Sequence, residues 1–176
     1  AETASVFGEM LTFQKMLDSA KDKNERKVML AGKVEDMINT VVRQIAFYDF
    51  ECKLHDARSK GELTSEDINA IWMSVQGESL GPAFEFMDGY ETFWAYIPHF
   101  VHSPFYVYAY AFGDGLVNAL YAVYKKNPLG FKDKYFDMLR AGGSMHHKDL
   151  LSPFGLDASD PKFWDQGLSM ISSMID

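Results

Sequence analysis

Cysteine is nearly absent: Cys52 is the only one in 176 residues. No internal disulfide can form, and no thiolate set can hold a structural zinc, so a reducing, cytoplasmic compartment is expected. Basic runs are missing as well. Seventeen Lys and Arg stand against 25 Asp and Glu, for a net charge of −8, and without a basic stripe no nucleic-acid partner is expected. Long apolar runs are also lacking. Residues 100–124 come nearest, but Pro104, Gly113, Asp114, Gly115 and Asn118 interrupt them, at a high cost at membrane depth. That stretch is expected to form a buried helix pair, with no membrane partner. The opening Ala-Glu-Thr-Ala-Ser lacks a basic segment followed by an apolar one, so a secretory signal is expected to be absent or already removed.

What is present is apolar and aromatic: 47% hydrophobic residues, with 14 Phe, 9 Tyr, 3 Trp and 10 Met. Such a chain is too apolar to stay unfolded. At this length about two-thirds of the unfolded surface can be buried, which predicts a single domain over residues 1–176.

Helical spacing dominates. Val6, Met10, Phe13, Met16 and Leu17 recur at three- and four-residue steps and predict a first helix. After a polar connection at 21–24, Val34, Met37, Ile38, Val41, Val42, Ile45, Tyr48 and Cys52 share one stripe. Phe47 and Phe50 lie off it, so this long helix is expected to sit between neighbours. Thr64 and Asp67 have the spacing of a capping box, which predicts a helix from Ser65 to about Val75. Gly77, Gly81, Pro82 and Gly89 predict an irregular loop over 77–90. Helices are expected to resume near Tyr90, with one long or bent helix over 105–124 ended by Asn127-Pro128. Two more are expected, over 131–139 and after Asp160-Pro161. No alternating pattern predicts a strand. The fold class is all-α, with about seven helices.

Three groups of residues can carry chemistry. Glu2, Ser5 and Glu9 share a helical face, although acids in a first turn also serve the helix dipole and are then solvated. His99, His102, Tyr106 and Tyr110 would line one groove on a continuous helix, with Tyr108 facing elsewhere. A tyrosine stripe also serves as core with its hydroxyls at the edge, and both readings stand. His146 and His147 are adjacent on a loop and should diverge, making a poor chelating pair. His55 reads as a surface or capping histidine, and Cys52 as packing.

Several segments resemble one family. Glu2-Thr-Ala-Ser5-Val-Phe-Gly-Glu9, the helix Arg43 to Glu51, Ile97-Pro98-His99-Phe100, Phe105 to Tyr110, Ala141-Gly142-Gly143-Ser144 and Gly155-Leu156-Asp157 follow in order. Together with the closing Phe163-Trp164 helix they resemble the oligoendopeptidase F branch of the thimet oligopeptidase-like zinc metallopeptidases. The resemblance implies the C-terminal portion of a helical catalytic domain that hydrolyses short peptides. It implies Glu2 as a zinc ligand, with Ser5 and Glu9 orienting the site around it. It also implies His99 as a substrate-contacting catalytic residue and the tyrosines of its segment as donors to the oxyanion. Within the substrate segment His99, His102, Tyr106, Tyr108 and Tyr110 are all candidates, and helical geometry favours Tyr106 and Tyr110 for the donor role.

One departure matters. No H-E-x-x-H occurs in these 176 residues, so the two histidine ligands and the base that the family uses are missing. The expected partner is therefore an upstream part of the catalytic domain, and the isolated chain is expected to be inactive, with weak zinc affinity. Exposed cleft surface predicts homodimerisation. The alternative is a non-catalytic helical binding or assembly module that keeps the family fold.

Overall fold

The computed structural model describes the backbone of residues 2–175 and, within that span, every side chain except those of Glu2, Gln166, Ile171 and Ile175. Among the described residues there are nine α-helices and no strand. They are α1 (Glu2–Asp18), α2 (Lys23–Met37), α3 (Arg43–Ser59), α4 (Ser65–Leu80), α5 (His99–His102), α6 (Tyr108–Lys126), α7 (Phe131–Ala141), α8 (His147–Leu151) and α9 (Pro161–Ile175). The count exceeds the expected seven because the expected long second helix is two, α2 and α3, and because α8 is a single turn whose periodicity is too short to register.

The capping box forms as expected. Thr64 accepts from the Asp67 backbone N–H, and the Asp67 carboxylate accepts from the Thr64 N–H in return. The helix behind it runs five residues beyond Val75, through Gly77, and stops where Gly81 takes φ 65° ahead of Pro82. The irregular loop is correspondingly shorter, and a 3-10 helix occupies Tyr90–Tyr96.

The long stripe from Val34 to Cys52 is the larger departure. Between α2 and α3 the chain takes a π-helix over Ile38–Val42. A π turn holds more residues than an α turn and re-phases the helix that follows. The buried face of α3 is therefore Ala46, Phe47, Phe50 and Glu51, whereas Ile45 is 54% exposed and Tyr48 37%.

Packing divides the chain into two compact units, one comprising residues 1–37 and 112–176 and the other residues 38–111. In the first, Phe7 and Met10 of α1 pack with Val117, Leu120 and Tyr121 of α6, with Phe131 and Tyr135 of α7, and with Phe163 of α9. In the second, Phe47, Phe50, Trp72, Val75 and Val107 form the core, with Ile97 and Phe100 against it. Trp72 Nε1 donates to the Tyr90 carbonyl at 2.9 Å, and Trp94 Nε1 donates to Asn69 Oδ1 at 2.7 Å. These bonds seat the 3-10 helix on α4 and thereby fix the chain that leads into His99. No helix among the described residues is long and apolar enough to cross a membrane.

Candidate functional site

His99 and Tyr110 meet in the second unit. His99 Nε2 lies 3.1 Å from the Tyr110 hydroxyl, so the hydroxyl donates to an unprotonated nitrogen or a protonated nitrogen donates to the hydroxyl. The Tyr106 ring stands edge-on to Tyr110, 5.6 Å between centroids. His102 is exposed at the end of α5. Tyr108 turns away and packs on Tyr48, 5.5 Å between centroids. Three of the five candidates in this segment are thus brought together, and Tyr108 faces elsewhere as its spacing predicts.

The route to that arrangement differs from the expected one. The helix is not continuous: α5 ends at His102 and α6 begins at Tyr108. Phe105, in the turn between them, has φ 60° and is the only non-glycine residue with positive φ among those described. Its backbone N–H donates to Glu51 Oε1 of α3 at 2.8 Å. Burial raises the Glu51 carboxyl above its ordinary range, opposed by the Phe105 N–H and then by the His55 and His99 imidazoles. Glu51 ends a segment that is family-like by sequence, but a Phe-Glu pair carries no signal of what the acid will meet.

The first helix carries the other candidates. Ser5 is exposed. Glu9 forms an ion pair with Lys33 Nζ of α2, a partner that spacing did not reveal. The Glu2 carboxyl lies outside the described side chains. The Tyr135 hydroxyl donates to the Thr3 carbonyl at 3.4 Å, which ties down the first turn of α1.

A catalytic zinc does not fit the described residues taken alone, since no three His, Cys, Asp or Glu among them gather as a metal set. His146 and His147 do not diverge as expected; their rings lie 4.1 Å apart. His146 Nδ1 nevertheless accepts from the Lys148 N–H at 3.3 Å, which commits it to capping α8.

A family model, Peptidase family M3, matches residues 1–170. The chain belongs to this family. Its curated relatives include the oligoendopeptidase F homolog of Borreliella burgdorferi, 33% identical over 89% of this chain and 27% of that one. Oligopeptidase PepF of Bacillus subtilis is 30% identical over 100% of this chain and 26% of its own length. Among solved structures, oligoendopeptidase-F from Enterococcus faecium matches with a TM-score of 0.79 at 25% identity, covering 99% of this chain and 35% of that one. A solved chain from Chlamydophila abortus matches with a TM-score of 0.86 at 30% identity, over 99% and 29% respectively. The M3 chain described here therefore spans just over a quarter of the length of these curated relatives.

Proposed function

We propose that these residues form part of a zinc-dependent oligopeptidase, supplying its substrate-binding wall through His99, Tyr106 and Tyr110. The observation that carries the reading is the 3.1 Å contact between His99 Nε2 and the Tyr110 hydroxyl in a chain of the M3 family. With Nε2 of His99 carrying the proton and donating to the Tyr110 oxygen, the Tyr110 O–H turns to the oxygen that gains charge when a peptide carbonyl is attacked, and His99 fixes where that donor points. Donors held in advance of charge development gain most in such a step. Tyr106, edge-on to Tyr110, limits the swing of its ring.

Zinc at Glu2 rests on the resemblance alone. One carboxylate does not make a zinc site; the resemblance puts the remaining ligands and the base on an H-E-x-x-H segment, which these 176 residues lack. Short peptides are the substrates and the H-E-x-x-H segment is the partner. The test is a chimera joining this chain to the H-E-x-x-H-bearing part of the Bacillus subtilis relative, assayed with a quenched peptide. Tyr110→Phe is expected to lower kcat about 10²- to 10³-fold with little change in KM. An unaltered kcat contradicts the donor role.

A further inference from the structure

We infer that Glu51 is the positioning residue of the substrate segment: its carboxylate clamps the left-handed turn at Phe105 and so sets the register in which α5 delivers His99 to Tyr110. A continuous helix would place His99 and Tyr110 eleven residues apart, about 16 Å along the axis, so their contact depends entirely on the intervening turn. That turn passes through a conformation that favours glycine and is strained for a residue with a Cβ. Something must hold it, and α3 does so twice. Glu51 Oε1 takes the Phe105 N–H at 2.8 Å. The Phe105 ring lies 4.7 Å from His55 and 6.1 Å from Tyr48 on the same helix.

Glu51 is 1% exposed, and its second oxygen, Oε2, is buried with no hydrogen-bond partner. A carboxyl is a costly way to fill a core position when Met or Leu would fill the same space. What distinguishes Glu51 from such a filler is its bond to the one strained non-glycine backbone N–H among the described residues. The substrate role of the pair rests on the peptidase reading above; the clamp itself does not.

The experiment is histidine-detected NMR on the full chain, with the His99 ring signals of Tyr110→Phe marking the broken contact. Glu51→Met fills the volume without an acceptor and is expected to move the His99 signals to the Tyr110→Phe positions. Glu51→Gln keeps an oxygen for the Phe105 N–H and is expected to leave them near wild type. His99 signals unchanged in Glu51→Met, or displaced equally by Gln and Met, overturn the clamp. If Glu51→Met does not fold, Phe105→Gly is added to it, because glycine needs no clamp; restored folding supports the role, and failure to restore it overturns it. In the chimera, Glu51→Met is expected to lower kcat as Tyr110→Phe does, about 10²-fold. An intact NMR result with kcat indifferent to Tyr110→Phe overturns the peptidase reading and leaves the clamp standing.

Discussion

Asp114 of α6 shows how one buried group ties stability to pH. It is 4% exposed, and its Oδ2 accepts from Asn118 Nδ2 at 2.9 Å. Burial raises its carboxyl above the ordinary range, with Lys33 and the Asn118 bond opposing and Glu9 adding to the rise. A raised acid binds its proton more tightly in the folded chain than in the unfolded one. Its contribution to stability is therefore present in acid and is lost as pH rises through the folded-state pKa. Asp114→Asn removes that loss and supplies an N–H for Asn118 Oδ1, which is buried without a partner. Urea midpoints are expected to favour the variant more at neutral pH than in acid; parallel pH curves for the two proteins contradict this. At this scale Thr64 and Asp67 were legible because a capping box is a local pattern of residue types. Glu51 and Phe105 were not, because a positive φ at phenylalanine and the burial of an acid are both imposed by distant packing.

Helix α6 approaches α9 at Gly115, where an added Cβ would lie 2.8 Å from Trp164 Cζ3. Trp164 cannot easily yield, since its Nε1 donates to the Ala158 carbonyl at 3.2 Å and its ring meets Phe112 and Phe163. Overpacking of this kind costs about 1–3 kcal/mol, more than alanine's helix preference returns. Gly115→Ala is thus expected to lower the urea midpoint. Gly77 of α4 has nothing within 4 Å of such an atom, so Gly77→Ala is expected to add about 0.5–1 kcal/mol. A midpoint that rises for the first, or falls for the second, contradicts the packing described. The existence of α1, α4, α7 and α9 was legible because each carries a periodic face or a cap. The face of α3 was misassigned from sequence because a π turn at Ile38–Val42 re-phases the helix without any residue type that announces it. The break at 103–107 was not placed from sequence because Phe105, Tyr106, Tyr108 and Tyr110 straddle it without a glycine to mark the turn.

The chain as a whole leaves large apolar side chains in water: Met87, Tyr96 and Val101 are each 76% exposed. Exposed apolar surface drives association, and self-association of the isolated chain is expected by light scattering at high concentration; a monodisperse monomer there contradicts it. Family membership was legible because the motifs stand in order along the whole sequence, and residues 1–170 match the family model. The zinc set was not, because two of its three implied ligands have no counterpart here. The most direct measurement is quenched-peptide hydrolysis with added zinc, for the 176-residue chain alone and for the chimera carrying H-E-x-x-H. Turnover by the chimera alone, abolished by chelator and reduced about 10²-fold or more by Tyr110→Phe, is the expected result. Chelator-sensitive turnover by the isolated chain, or a chimera indifferent to Tyr110, contradicts it.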